Sequence, residues 1–517
     1  MAQLVVCCDG TWNTPGDKED GLPAPTNVVK LYNSLAPVDA AGAEQKRYYH
    51  PGVGTDGDWW NRLLGGGIGR GLNRNIASAY RWLAGAYRPG DAIWLFGFSR
   101  GAYTARSVGG MISRCGLLDT GDPEALDPEV WKQVDALFQA YRAKTTLPAT
   151  AERRFHNVAG EESPFHSTPI HFIGAFDTVG ALGIPADLAL LHLIDDPTQH
   201  QFHDTELSPI VRHARHAVGI DERRQSFTPT LWTNRLVEPG APDMRQLWFP
   251  GVHGDVGGGY GQAGLSDIAL DWMMGEAEAQ GLAIKPGARS QLRPSPQALM
   301  HDSLTGIFAQ LKTRPRAVPR ISGGDGETQF LHASVVARHD TPPIAQGDYW
   351  PVKTVAAGAP VSIAVFARQH WNACNVFLEA GTEYVFSAEG QWLDGAIACG
   401  PAGTKDGRFQ VGEVAHLAGS LIDASENLFK RLSGNRQADF WMSRRKPEFP
   451  WFALVGLVAN GVRSTDDPRA PEHEVFLIGD AARFTPQAGG YLYAFANDAW
   501  HAYGDNAGSV RLTVRRA

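Results

Sequence analysis

The chain has 517 residues, 43% of them hydrophobic, with 47 Lys and Arg against 55 Asp and Glu and a formal charge of −8. That is too long for one ordinary domain and too apolar for a disordered chain. The acidic balance lacks the basic surplus of a nucleic-acid binder. Only Arg444-Arg445-Lys446 makes a short basic cluster, and before Pro447 it reads as a solvated loop. Five scattered cysteines give neither a disulfide framework nor paired zinc spacing. Cys7 and Cys8 fall in a core strand; Cys374 and Cys399 could meet, with reduced thiols the default.

In chain order, Leu4–Cys8 is an apolar strand, and no charged, apolar leader of a Sec signal precedes it. No window reaches the roughly 18 apolar residues of a membrane span, so export from the cytoplasm would need a dedicated secretion machine. Thr26 caps a helix carrying Val28, Val29 and Leu31. Gly65–Gly71 is glycine-rich but lacks both the P-loop ending and the dinucleotide spacing, so it reads as a loop near the mouth of a site. Leu72, Ile76, Ala79, Tyr80 and Leu83 recur at helical spacing. Strands follow at Ala92–Phe96, His171–Phe176 and Gln246–Phe249, with a helix over Ala102–Ile112. Alternating strands and helices predict a mainly parallel, covered sheet. Residues 118–165 and 182–216 read as helical or irregular insertions, and Ala186–Leu191 as either a lid facing lipid or ordinary core.

After about residue 345, short strand-like runs take over: Val361–Ala367, Asn375–Leu378, Thr382–Ala388, Phe452–Val458, Glu474–Ile478, Tyr491–Phe495 and Ser509–Val514. The pattern predicts a β-sandwich. The expected organisation is a catalytic domain over 1–345 (core 1–280, then an extension and linker over 281–345) and a β-sandwich over 346–517.

Gly97-Phe98-Ser99-Arg100-Gly101 follows a strand and opens a helix, the setting of a nucleophile elbow. A serine hydroxyl needs a base, and the base needs an orienting acid, in the chain order Ser, acid, His. Asp177 and His253 both follow strands on the same sheet edge as Ser99, His253 within a glycine-rich loop. Asp255 is the rival acid; two residues from His253, it better suits a capping role. The backbone N–H of Arg100 and that of Gly10 or Thr11 are the expected oxyanion donors, with Asp9 a possible brace for their loop.

These motifs (Cys8–Asn13, Gly97–Ala102, Phe176–Gly180 and Gly251–Tyr260) together resemble the α/β-hydrolase domain of bacterial type VI secretion phospholipase effectors. The resemblance implies a Ser99–Asp177–His253 triad, no catalytic metal, and phospholipase A or lipase activity on a lipid or membrane surface. It also implies export by a type VI system into a target cell, with a secretion-machine component as partner. The alternatives are an esterase or acyl transferase on small soluble esters, and a lectin-like protein on an inactive scaffold. The tail, Ala496–Ser509, is similar to the ending of a bacterial calcium-dependent galactose-binding lectin family. That similarity implies Ca²⁺ held by Asp498, Asp505, Asn506 and the carbonyl of Ala502, with a glycan as partner. Asp505 stands where that family has an amide.

Overall fold

The computed structural model describes residues 1–10, 16–19, 21–52, 67–120, 128–147, 149–150, 153–156, 168–180, 206–233, 242–321, 328–404, 444–460 and 473–517. Thr11, the start of the glycine-rich segment (65–66) and the apolar insert Ala186–Leu191 lie outside them. The chain divides into two compact units. Met1–Leu311 with Gln329–Gly347 and Thr465–Pro468 forms one; Lys312–Thr328, Asp348–Ser464 and Arg469–Ala517 form the other.

The first unit is built on six parallel strands: β1 (Gln3–Cys8), β2 (Gln45–His50), β3 (Ala92–Phe98), β4 (Ile170–Phe176), β5 (Val211–Gly219) and β6 (Asp243–Phe249). They lie in the order β2-β1-β3-β4-β5-β6. Helices α1 (Asn27–Ser34), α2 (Gly67–Ala86), α3 (Arg100–Cys115), α4 (Pro128–Arg142), α5 (His253–Gly257), α6 (Ser266–Ala279) and α7 (Ala333–Asp340) accompany them. Both faces are covered, as a parallel sheet requires. Leu4, Val6, Leu95 and Ile173 pack with Leu83, Val108 and Leu137 on one side; Val5, Trp94, Phe172 and Phe176 pack with Leu31, Leu270 and Met273 on the other. Thr26 caps α1 as expected, its side chain accepting from the Val29 N–H at 3.2 Å.

In this unit the structure corrects three readings. Residues from Gly67 onward open α2, so that part of the glycine-rich segment is helix, not loop. Residues 211–216, part of an expected insertion, are strand β5, paired on both sides within the sheet. Its polar residues disguise it: Arg215 is buried, and its guanidinium pairs with Asp243 at 2.7 Å and Glu276 at 2.5 Å. His253 is the first residue of the short helix α5 rather than part of a flexible loop.

The second unit is an antiparallel β-sandwich. Its strands are β7 (Val361–Phe366), β8 (Asn372–Leu378), β9 (Tyr384–Asp394), β10 (Ile397–Cys399), β11 (Leu454–Asn460), β12 (Glu474–Leu477), β13 (Ala481–Phe484), β14 (Gly490–Ala496) and β15 (Asn506–Arg516). One sheet runs β8-β14-β11-β12 and the other β10-β9-β15-β7, with β13 on β9. Alternate residues such as Val376, Phe386, Trp392, Leu492 and Leu512 meet between them. Cys374 and Cys399 are both buried and free. The basic cluster is not a solvated loop: the Arg445 guanidinium sits 3.7 Å from the Phe495 ring and 4.1 Å from that of Trp371. It donates to the His370 carbonyl at 2.6 Å and to the Tyr503 hydroxyl at 2.8 Å.

What fixes the turn after β3 is the approach of α3 to β1. A Cβ on Gly101 would lie 2.1 Å from the Cys8 carbonyl oxygen, and one on Gly97 would lie 2.3 Å from the Gly101 oxygen. Both positions need bare backbone. Gly101→Ala is expected to lower unfolding free energy by about 1–3 kcal/mol, the usual cost of overpacking. Urea denaturation against wild type measures it.

Candidate active site

Ser99 closes β3 and precedes α3 with φ 57° and ψ −124°, a strained conformation for a residue with a side chain. Its N–H donates to the Phe176 carbonyl at 3.0 Å, one rung past the end of β3. Arg100 is the first residue of α3, so its N–H has no acceptor within the helix. Its guanidinium is buried, and desolvation pulls its pKa down to about 10.

Asp177 ends β4 with φ 36°, fully buried. Its Oδ1 accepts from the Gly219 N–H at 2.8 Å, and its Oδ2 lies 2.6 Å from His253 Nδ1. An ionised carboxylate only accepts, so Nδ1 carries the proton and Nε2 keeps its lone pair. The His253 ring lies between Phe98 (centroids 4.6 Å) and the edge-on Phe227 (4.9 Å). Because Phe98 adjoins Ser99, this contact sets the imidazole beside the elbow. Burial pushes the His253 pKa below its ordinary value; the bond to and charge of Asp177 act the other way.

Side-chain contacts from α1 pin α5. Asn27 Nδ2 donates to the carbonyls of Val256 and Ser266, both at 2.8 Å, and Gly257 leaves room for the Phe98 ring. Asp255, the rival acid, is turned elsewhere. Its Oδ2 accepts from the Val252 N–H at 3.1 Å, which caps α5, and its Oδ1 meets His301 Nδ1 at 2.6 Å.

After β1, Asp9 braces the loop. Its carboxylate accepts from the Gly10 N–H at 2.7 Å, the Thr26 hydroxyl at 2.7 Å and the Tyr49 hydroxyl at 2.8 Å. Burial outweighs those bonds and pushes its pKa up to about 6. The Gly10 N–H is therefore engaged by Asp9, and its neighbour Thr11 lies outside the described residues.

Sequence reasoning missed Glu222 and Arg224, which follow β5. Buried Glu222 pairs with Arg224 at 2.8 Å and accepts from the His253 N–H at 3.3 Å. Two charged residues after an unrecognised strand gave no signal of their own.

In the second unit, the Asp498 carboxylate accepts from the Ala499 N–H at 2.7 Å and from Asn506 Nδ2 at 2.9 Å. Asn506 Oδ1 is buried without a hydrogen-bond partner. Asp394, in register with Asn506, and Asp498 both titrate high, at about 7 and about 6; burial is the main cause and repulsion, including that from Asp505, adds to it. Among the described residues no three His, Cys, Asp or Glu side chains converge as a metal site.

Comparison with known proteins gives matches of both kinds. Uncharacterized protein YEL023C of Saccharomyces cerevisiae is 26% identical over 444 residues, covering 59% of this chain and 60% of that protein. The chain thus spans under two thirds of this relative's length. Among solved structures, an uncharacterized protein from Pseudomonas aeruginosa is 19% identical with a TM-score of 0.35, covering 57% of this chain and 49% of that one. The Tle1 effector bound to the VgrG spike of the type 6 secretion system is 16% identical, TM-score 0.27, with 50% and 51% covered. The EclA N-terminal domain, a PllA-like lectin, is 19% identical, TM-score 0.18, with 30% and 95% covered. The family model described as the catalytic domain of the Tle1-like phospholipase effectors of type VI secretion matches residues 2–276, and the chain belongs to that family.

Proposed function

We propose that this chain is a serine carboxylic-ester hydrolase of phospholipase A or lipase type, acting on lipid through an acyl-enzyme on Ser99. The observation that carries the reading is the strained turn at Ser99 beside a buried Asp177–His253 pair at 2.6 Å. In this scheme Ser99 Oγ attacks the acyl carbonyl carbon while His253 Nε2 takes the hydroxyl proton. Nε2 then gives that proton to the leaving alkoxide as the tetrahedral intermediate collapses. Water, deprotonated by the same nitrogen, releases the fatty acid and restores Ser99. The Arg100 N–H faces the developing oxyanion; the loop after β1 supplies a second donor, Thr11, or Gly10 once released from Asp9. Asp177 holds the imidazole in the tautomer that leaves Nε2 basic.

Family membership supports delivery by a type VI system, a secretion-machine component as partner and a target-cell membrane as the place of action. Among the described residues no helix is long and apolar enough to cross a membrane. The second unit is proposed as a lectin-like module that docks the enzyme on a glycan or lipid surface. A Ca²⁺ ion there would be held by Asp498, Asp505, Asn506 and the Ala502 carbonyl, all oxygen donors as that cation prefers. The buried, unbonded Asn506 Oδ1 and the mutually repelling carboxylates fit such a cation. It would bridge the protein to sugar hydroxyls and takes no part in ester cleavage.

Ser99→Ala and His253→Ala should each cost at least about a thousandfold in turnover of p-nitrophenyl esters, because nucleophile and base act as a unit. Asp177→Asn should be severe and Asp255→Asn mild; the reverse order would reassign the acid. Labelling by a fluorophosphonate probe tests the activated serine against an inactive scaffold. Lipid analysis of membranes treated with wild type and Ser99→Ala separates a lipase from an enzyme of small soluble esters.

The pH profile follows from His253. A lowered pKa keeps the base neutral to lower pH, so the acid limb of kcat/KM should lie below the ordinary histidine value of about 6.5. This lies on the acid side of the roughly pH 6 to 8 rise that an unperturbed histidine gives. A limb at or above 7 in the rate profile of the full chain would contradict it.

Calcium should raise the melting temperature of the full chain, and Asp498→Ala should abolish the gain while leaving Ser99 reactive to the probe. Asp394 and Asp498 have raised folded-state pKa values, so their contribution to stability is present at low pH and lost as pH rises through about 6 to 7. The calcium gain should therefore be larger at pH 7.5 than at pH 5, where protons compete. Melting curves indifferent to calcium and chelator at both pH values would remove the metal from the proposal.

A further inference from the structure

We propose that the Glu222–Arg224 pair is a positioning device for His253, a buried ion pair whose two halves act on the imidazole in opposite senses. The inference rests on His253 being the base. Glu222 Oε2 accepts both the His253 N–H at 3.3 Å and Arg224 Nη2 at 2.8 Å. Its Oε1 accepts from Arg224 Nε at 3.0 Å, the Arg224 N–H at 2.8 Å and the Ser303 hydroxyl at 2.9 Å. The Arg224 guanidinium in turn lies 3.5 Å over the Phe227 ring, and that ring meets His253 edge-on. One carboxylate thus holds the backbone of the base, and its partner holds an aromatic wall of the imidazole.

The segment carrying the pair is itself locked to the strand end that leads to His253. Ile220 N–H donates to the Phe249 carbonyl and Asp221 N–H to that of Gly251, both at 3.0 Å; Asp221 Oδ2 accepts from the Gly251 N–H at 2.7 Å. A buried ion pair seldom adds net stability over apolar packing. Placed against a base, it has a use that packing lacks. The charged groups facing the imidazole are Asp177 after β4 and Glu222 and Arg224 after β5; Phe98, from β3, is uncharged. On its own helix Asp255 is tied to His301. Asp177 and Glu222 favour the imidazolium, while Arg224 disfavours it. Arg224 therefore offsets Glu222, so that the carboxylate can anchor the helix without making the base too ready to hold a proton.

The test is the titration of His253 in the full chain, read by NMR of its ring with His253→Gln assigning the signal, beside the pH dependence of probe labelling at Ser99. Glu222→Gln removes the anion and leaves the guanidinium, so the midpoint should fall. Arg224→Gln leaves the carboxylate uncompensated, so it should rise. Each shift should reach at least about half a pH unit, and Arg224→Lys should stay near wild type. A merely structural pair would slow labelling in both variants without moving the midpoints in opposite directions. Midpoints that stay put, or move the same way, overturn the proposal. Should Arg224→Gln fail to melt cooperatively, Glu222→Gln decides: a midpoint that does not fall overturns it. If His253 titrates as expected but Ser99 takes no label, the hydrolase reading fails and the pair stands.

Discussion

The parallel ladder continues one rung beyond the ends of its strands. Ser99 N–H donates to the Phe176 carbonyl at 3.0 Å and Asp177 N–H to the Ala217 carbonyl at 2.7 Å. Those bonds hold two residues at positive φ, a conformation that costs each of them on the order of 1–3 kcal/mol and persists only when surroundings over-determine it. Gly97 and Gly101 supply the space, and the start of α3 supplies N–H groups pointing off the sheet edge. Because adjacent strands run in register, three strand ends deliver Ser99, Asp177 and the approach to His253 to one place. Every later feature of the site depends on that edge staying rigid.

Several buried charges of the first unit are settled in pairs. Asp177 meets His253, Glu222 meets Arg224, Asp255 meets His301, and Arg215 is shared between Asp243 and Glu276. An ion removed from water without such a partner is expensive, whereas a paired and hydrogen-bonded one is tolerated. The pairing also divides labour. Asp255 and Glu222 fix the helix that carries His253, which leaves Asp177 to act on the ring.

Much of this was legible in the sequence because the relevant signals are local. The elbow motif carries its own geometry, and runs such as Leu4–Cys8 and Phe172–Phe176 are unbroken apolar stretches of strand. In the sandwich, the short strand-like runs Val361–Ala367 and Ser509–Val514 mark what the structure shows as β7 (Val361–Phe366) and the longer β15 (Asn506–Arg516). What stayed hidden depends on partners far along the chain. Strand β5, with Arg212, His213, Arg215 and His216, does not look like interior until Glu276 and Asp243 are seen to neutralise Arg215. Arg445 reads as solvated until aromatic rings from residues 371, 495 and 500 close around it. Glu222 and Arg224 likewise acquire meaning only through contact with His253. Propensity sees none of these, because each is a tertiary pairing that reverses the cost of burial.

Not every buried carboxylate is paired in this way: Asp9 in the first unit has only neutral donors, and the second unit holds two more without an ion-pair partner among the described residues. Asp394 and Asp498 are buried, yet neither makes a salt bridge among the described residues; the Arg445 guanidinium lowers the Asp498 pKa only as the last of several influences. Amide and backbone donors from Asn506 and Ala499 stabilise the Asp498 carboxylate, but burial and repulsion outweigh them. The unbonded Asn506 Oδ1 adds a further oxygen with no donor to satisfy it. A proton relieves the carboxylates but does nothing for the amide oxygen. A hard cation would relieve both at once, and that is the physical ground on which calcium is proposed for this corner. Near Ser99, by contrast, the carboxylates that approach His253 already have partners of opposite charge or hydrogen-bond donors.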